Sequence, residues 1–231
     1  MKKGFLLLMM VLFTVAVNAQ MIRTEELEKY AKEKYGDKWV EAASNIASQV
    51  SLDKNDALTY TQVIEAPGKT KDQLYVILNY WYTATFNDAN SVIKLNDKAD
   101  GCIIGQGYIT DIAAHAGGAN AYDVSIRPII KTDIKDGKIR VTYTVPAYDV
   151  IVTSGGGILG AISAGLGSKV NTTKSEENWP LDTCYPFAKK DAHKKTSCKA
   201  LVMAHAFSNV IMDKIEEAVK HGVSGNETDN W

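Results

Sequence analysis

Residues 135–145 read KDGKIRVTYTV, and they set the architecture of this chain. Asp136-Gly137 is a strong hairpin signal, because both residues tolerate the positive φ angles of a tight two-residue turn. After the turn, apolar and polar side chains alternate: Ile139, Val141, Tyr143 and Val145 against Arg140, Thr142 and Thr144. A period of two predicts an antiparallel strand with one face on a core and the other facing water or a covering segment.

Further strand signals lie upstream of this hairpin. Gly105 and Gly107 fall inside one β-prone segment and predict a bulge or a close backbone approach there. Polar turns at 96–100 and 115–120 separate the segments, and Pro67-Gly68 ends the first of them. The predicted strands span residues 59–64, 91–95, 102–112, 122–134 and 138–145.

Helical spacing marks three other regions. Leu74, Ile77, Leu78 and Trp81 predict an amphipathic helix over 70–87, and Leu201, Ala204, Ile211 and Ile215 predict a closing helix that stops at Gly222. A third region, 24–49, reads as two helical pieces broken near Gly36-Asp37. We therefore expect an α+β fold of β-α-β-β-β-β-α order with an N-terminal helical addition.

The N-terminus has the pattern of a signal peptide. Lys2 and Lys3 precede a nearly unbroken apolar run at 5–17, and small residues lead to a predicted cut between Ala19 and Gln20. The run is shorter than the roughly 20 residues that a membrane-spanning helix needs. We expect an exported, soluble chain; a retained N-terminal anchor is the alternative.

Composition limits the classes of partner. The 231 residues are 45% hydrophobic and 23% charged, with a formal net charge of -1. Such a chain can bury a core, but it lacks the basic patch that nucleic-acid binding requires, so we predict no nucleic-acid partner. The predicted organisation is a signal peptide at 1–19, a helical segment at 20–52, an α+β core at 57–153, a glycine-rich and polar loop at 154–192, a helix at 193–222 and a flexible tail at 223–231.

Residues 154–168, SGGGILGAISAGLGS, contain the spacing G-x-G-x-x-G at Gly155, Gly157 and Gly160. A dinucleotide fingerprint also needs a second strand with an acidic end about 20 residues on. Glu176 and Glu177 lie near that distance, but their surroundings contain no apolar run, so the second strand is missing. We predict no nucleotide and no other cofactor.

The favoured interpretation of the same segment is a flexible connection. The alternative is a self-packing segment, or one that touches a membrane surface or partner, because small residues recur every four positions and allow close helix approach. The candidate interaction residues are Gly156, Gly157, Gly160, Ala161, Ala164 and Gly165.

Polar clusters in the C-terminal third offer few further sites. A basic run of Lys189, Lys190, Lys194 and Lys195 is most simply a solvated approach to the last helix; alternatively it contacts an anionic glycan or lipid headgroup. The spacing of Cys184, His193, Cys198 and His205 matches no compact zinc signature, so we predict no metal site. No catalytic motif is present, and we predict no catalytic residues.

The block 60–112 and the hairpin after it resemble a known family. The residues concerned are KTKDQLY at 69–75, Trp81, GCIIGQG at 101–107 and DGKIR at 136–140. They resemble domain of unknown function 4468, a family of exported bacterial proteins, over roughly 59–152. The resemblance implies a fold similar to the TATA-box-binding protein (TBP), with a curved antiparallel sheet and helices on one face. It implies no catalytic residues, and the fold by itself does not imply DNA binding.

Together these features predict a non-catalytic binding or interaction protein in the periplasm or cell envelope of a Gram-negative bacterium. The expected partner is an unidentified protein or envelope component, with peripheral membrane contact as one possibility. The alternatives are an exported hydrolase and a structural protein that associates with the envelope through its glycine-rich segment.

A disulfide between Cys184 and Cys198 is a better interpretation of those two cysteines than a metal site, because export permits one. A bridge closing such a loop would stabilise the fold by on the order of 3 kcal/mol. Thiol titration of the denatured, unreduced protein should then detect one thiol, that of Cys102. Three titrating thiols would exclude any bridge.

Overall fold

The computed structural model describes residues 22–86, 92–187 and 193–222, so the predicted signal peptide and tail lie outside the described residues. The helices are α1 (Thr24–Tyr35), α2 (Trp39–Ala47), α3 (Lys71–Thr85), α4 (Ile158–Gly165) and α5 (Lys194–His221), with a 3-10 turn at Leu181–Thr183. The strands are β1 (Leu58–Glu65), β2 (Ile93–Asp97), β3 (Cys102–Gln106), β4 (Ile109–Ala116), β5 (Asn120–Ile126), β6 (Ile129–Lys135), β7 (Lys138–Val145), β8 (Ala147–Ser154) and β9 (Thr173–Pro180).

The strands form two antiparallel sheets. Three long stretches of chain, which we call the bent strands, run from a strand of one sheet directly into a strand of the other. One sheet has the order β1-β7-β6-β3-β2 and the other the order β4-β5-β8-β9. The chain crosses between them at Gly107-Tyr108, Arg127-Pro128 and Pro146, so β3 continues into β4, β5 into β6 and β7 into β8. The Gly107 amide donates to the Pro128 carbonyl at 2.9 Å and ties two of these bends together. The expected curved antiparallel surface is confirmed.

The prediction of one strand over 122–134 is wrong, because β5 and β6 lie in different sheets. Pro128 has no amide hydrogen and a fixed φ, so it cannot continue the ladder between the two strands. The predicted strand over 102–112 is divided in the same way at Gly107.

The predicted loop over 154–192 is also wrong in part, because it contains α4, β9 and the 3-10 turn. Strand β9 pairs with β8 along its whole length, from Ser154↔Thr173 to Ala147↔Pro180. Trp179 is the one buried residue of β9. An edge strand exposed on both faces carries no apolar alternation, which is why the sequence did not reveal it.

Helix α3 packs one face on the sheet and α5. Thr70 and Gln73 form a capping box that fixes its first turn. The Tyr82 hydroxyl donates to the Ile130 carbonyl at 2.9 Å, which joins the helix to β6. A Cβ atom at Gly105 would lie 2.5 Å from the Tyr82 ring, so the close approach predicted at Gly105 is confirmed.

Helix α5 lies against both sheets, while α1, α2 and α3 pack on its other sides. More than half of its 28 residues are buried. The chain enters α2 after Gly36, whose φ of 93° suits glycine and ends α1 near the predicted break.

A histidine lies in the aromatic layer between α5 and β1. His205 Nδ1 and the Tyr60 hydroxyl oxygen are 3.0 Å apart, and the Tyr35 ring lies 5.3 Å from the imidazole. Burial, aided by the nearby Lys34, lowers the pKa of His205 to about 4. The neutral imidazole is therefore the form that the folded protein holds.

Replacing His205 with Gln should flatten the acid side of the stability profile. In the unfolded chain His205 takes up its proton near pH 6.5, whereas in the fold it does so only near pH 4. Its stabilising contribution is therefore complete above about pH 6.5 and is lost as the pH falls from about 6.5 to about 4.

Urea unfolding at about pH 7 and about pH 4.5 measures this effect. The difference in free energy of unfolding between the two pH values should shrink by roughly 1–2 kcal/mol in His205→Gln, since solvent screens the partly exposed ring. The variant His221→Gln, changed at an exposed site, should retain the wild-type difference. An unchanged difference in His205→Gln would contradict the assignment.

Candidate functional site

Helix α4 stands at one end of the second sheet, against the turn between β4 and β5. The amides of Ile158 and Leu159 donate to the carbonyls of Gly117 and Gly118 at 2.9 and 3.0 Å. The Gly157 amide donates to the Ala119 carbonyl at 3.2 Å. Main-chain bonds thus satisfy helix-start amides that would otherwise need water or a ligand. We call α4 and this turn, residues 117–119, the tip.

Two of the candidate glycines lie close to main-chain atoms, Gly157 at the β4–β5 turn and Gly160 at the connection from β8. A Cβ atom at Gly157 would lie 2.6 Å from the Gly117 carbonyl oxygen, and one at Gly160 would lie 1.7 Å from the Gly155 carbonyl oxygen. Gly165, in contrast, has open space around its Cβ position. The proposed small-residue stripe is therefore divided: Gly157 and Gly160 face the protein's own backbone, whereas Ala161, Ala164 and Gly165 are exposed.

The surface that α4 presents is aliphatic. None of its residues is buried, and Ile158, Leu159 and Ile162 are 53%, 63% and 55% exposed. Leu166, just after the helix, is 81% exposed. Residues 152–168 contain no charged side chain, and neither 112–122 nor 152–175 contains a carboxylate. Lys169 and Lys174 are the next charged residues along the chain, and Glu176 and Glu177 come after them. The exposed face of α4 is therefore apolar.

The G-x-G-x-x-G spacing lies in this tip and has a different use from nucleotide binding. A strand does follow the helix, contrary to the expectation, but β9 is antiparallel to β8. The fingerprint needs a parallel βαβ crossover and free helix-start amides. Here the amides of Ile158 and Leu159 already bond to the β4–β5 turn.

The candidate lysines separate in the structure. Lys189 and Lys190 lie outside the described residues. The Lys194 ammonium lies 4.4 Å from the centroid of the Tyr185 ring. Lys195 lines a cavity between α2, α5 and β4.

The cysteine and histidine candidates are distributed between different environments. Cys184 and Cys198 are buried, and their pairing stays a prediction. His193 stacks on Trp179 at 4.3 Å between ring centroids, whereas His205 lies in the tyrosine layer. Across the described ranges, no group of three or more His, Cys, Asp or Glu side chains could hold a metal ion.

Helix length and apolarity also bear on membrane contact. Among the helices in the described parts of the chain, none is long and apolar enough to cross a membrane. Helix α4 has eight residues, whereas a spanning helix needs roughly 20.

Residues 60–149 match the family model described as domain of unknown function (DUF4468) with TBP-like fold. The chain contains a DUF4468 domain. This confirms the predicted family and, with the antiparallel sheets and packed helices, the α+β fold class. The DUF4468 match ends before α4, so α4, β9 and α5 lie beyond the matched range.

Two solved structures are similar to this chain. One is a TBP-like protein from Parabacteroides distasonis ATCC 8503, with 12% identity and a TM-score of 0.46, covering 72% of this chain and 95% of that one. The other is a DUF4468 family protein from Bacteroides ovatus ATCC 8483, with 13% identity and a TM-score of 0.43, covering 74% and 91%. A comparison with curated proteins finds no match.

Substitution of the tip glycines should separate structural positions from open ones. Gly160→Ala places a methyl group inside the van der Waals radius of the Gly155 carbonyl oxygen. The expected loss is about 1–3 kcal/mol of stability. Gly165→Ala meets no atom and should be neutral or slightly stabilising, because alanine favours helix. Thermal melts of both variants measure the difference; equal melting temperatures would show that Gly160 is not packed against Gly155 as described.

Proposed function

We propose that this protein is an exported, non-catalytic binding protein of the cell envelope that docks on a membrane surface through its tip. The aliphatic face of α4 carries the proposal. On the surface of a globular protein, a cluster of exposed apolar residues marks an interaction site, whereas single scattered apolar residues do not. In α4 three exposed aliphatic residues occur within five positions, Ile158 to Ile162.

The backbone of the tip suits a medium poor in water. An unpaired amide or carbonyl costs several kcal/mol in hydrocarbon, so inserted segments must satisfy these groups internally. The first amides of α4 donate to the β4–β5 turn. At its end, the Leu166 amide donates to the Ile162 carbonyl at 3.0 Å, and the Ser168 amide donates to the Ser163 carbonyl at 2.9 Å. The helix can therefore approach the acyl boundary without exposing these groups unpaired.

Charge favours an anionic membrane over a protein groove. Lys169 and Lys174 follow the apolar face along the chain, and residues 152–175 bring no carboxylate that would repel lipid phosphates. Each lysine near an anionic surface contributes about 1 kcal/mol. Partial burial of a few aliphatic side chains adds a comparable amount, on the order of 1 kcal/mol each. The expected association is weak and reversible.

The predicted signal peptide supports the same location. Export would bring the folded chain to the membrane surfaces that border the periplasm. The apolar run at 5–17 would be removed in this process, so the tip, rather than the leader, would hold the mature protein at the membrane.

Vesicle co-sedimentation tests the proposal with the chain that begins at Gln20. Vesicles of phosphatidylglycerol and phosphatidylethanolamine should retain the wild-type protein. The triple variant Ile158→Ser, Leu159→Ser, Ile162→Ser should bind on the order of 100-fold more weakly, because it removes three apolar contributions of about 1 kcal/mol each. The control triple Val63→Ser, Val76→Ser, Leu95→Ser, changed at exposed apolar residues on β1, α3 and β2, should bind as wild type.

Two results would overturn membrane docking. One is equal binding by wild type and the α4 triple variant. The other is a dimer, seen by sedimentation velocity without vesicles and lost in the α4 variant, because it would assign the apolar face to a second copy of the chain.

A further inference from the structure

A cavity of about 410 Å³ lies where α2, α5 and β4 meet. Its apolar wall consists of Trp39 and Val40 from the first turn of α2 and Ala114 from β4. Its polar wall consists of Lys38, Lys195 and Lys199, with His115 beside them. The volume lies in the range of small-molecule sites, and such sites combine an apolar lining with a few convergent polar groups.

Among the described residues that line this cavity or pair with its lining, lysines outnumber carboxylates. Glu28 Oε2 accepts from the Lys199 ammonium at 2.7 Å, but the same carboxylate also meets Lys32 at 2.6 Å. One negative charge thus serves two lysines. Lys38 lies 3.9 Å from a Glu41 oxygen, and both side chains are largely exposed, so solvent screens that pair.

Lys195 adds a charge that no carboxylate of the described residues neutralises in an ion pair. Within the described ranges, its ammonium forms no ion pair. Its neighbour one turn on, Lys199, is only 18% exposed and pairs with Glu28, whereas Lys38 and Lys195 are exposed. An arrangement of this kind attracts a compact anion such as a phosphate.

Two helix starts reinforce the positive potential. Helix α2 begins at Trp39 and α5 begins at Lys194, each next to a residue that lines the cavity. In the part of the chain that the structure describes, no side chain caps either first turn. The partial positive charge of a helix start favours an anion near it.

The apolar wall determines what the anion is attached to. Trp39 is half-buried, with the ammonium groups of Lys199 and Lys32 at 5.5 and 5.7 Å from its ring. Its indole and the side chains of Val40 and Ala114 offer a surface that a free inorganic ion would leave in water. An alkyl chain attached to the anion would cover that surface and gain affinity from its burial.

We propose that this cavity binds a phosphorylated amphiphile, with the phosphate among Lys38, Lys195 and Lys199 and the alkyl part on Trp39 and Val40. The source is either a lipid or a soluble phosphate ester with an apolar body, since both present the same chemistry. The site uses different residues from the tip, so it does not depend on membrane docking.

Isothermal titration with octyl phosphate, below its micelle concentration, tests the site on the chain from Gln20. The variant Lys38→Gln, Lys195→Gln should bind about tenfold more weakly or worse, because it removes two charged partners of the phosphate. The control Lys54→Gln, Lys214→Gln, changed at exposed lysines outside the cavity lining, should bind as wild type.

Comparison probes test each half of the ligand. Inorganic phosphate should bind more weakly than octyl phosphate because it lacks the alkyl part. Octyl glucoside should also bind more weakly than octyl phosphate, because it lacks the charge. Equal affinity for octyl phosphate and either of these probes would overturn the proposal, as would equal losses in the cavity variant and its control. Absence of octyl phosphate binding in the wild type would also overturn it.

Two further measurements distinguish a lipid from a soluble phosphate ester, and the cavity site from the tip. Dihexanoyl phosphatidic acid binding in preference to octyl phosphate would support a lipid, and the reverse order would support a soluble ester. The α4 triple variant should keep its affinity for octyl phosphate. Its loss there would overturn the assignment to this cavity, whereas loss of vesicle binding alone concerns only the tip.

Discussion

Helix α5 lies between the curved sheet and helices α1, α2 and α3, so its surface must be apolar on nearly every side. Small residues such as Ala200, Ala204 and Ala206 are fully buried on it, which lets neighbouring elements approach its backbone closely. Burial of apolar area is the dominant favourable contribution to folding, and here much of it passes through one helix. The three bent strands and the N-terminal helices find their positions against this surface.

The same helix also places the candidate sites. Its first turns bring Lys195 and Lys199 beside the start of α2 and the edge strand β4, and so create the cavity. The tip lies further out, where β4, β5 and β8 end, and it is supported by those strands rather than by α5. The protein therefore separates a rigid core from two surfaces whose residues are not needed to fill it.

Local sequence patterns predicted much of the fold, but they did not predict the features that depend on contacts between residues distant in the sequence. The Asp136-Gly137 turn and the alternation after it predicted the β6–β7 hairpin, and helical spacing predicted α3 and α5. The division of each long strand between two sheets depends on Pro128 and on its neighbours across the sheet. These residues are far apart in the sequence, so a sequence pattern does not show that they are neighbours. The cavity joins Lys38, His115 and Lys199, and only the packing of three elements makes them neighbours. The apolar residues of α4 were evident in the sequence. Their exposure follows from the way α4 is bonded to the β4–β5 turn, which the sequence does not show.

Main-chain atoms alone make the bonds that hold α4 to the β4–β5 turn, through Gly117, Gly118 and Ala119. Side chains at Ile158, Leu159 and Ile162 take no part in that attachment. Evolution can therefore exchange these three residues one at a time without loosening the helix, provided that Gly157 and Gly160 are kept. Variants of this chain could therefore carry a different chemistry on the same main-chain support.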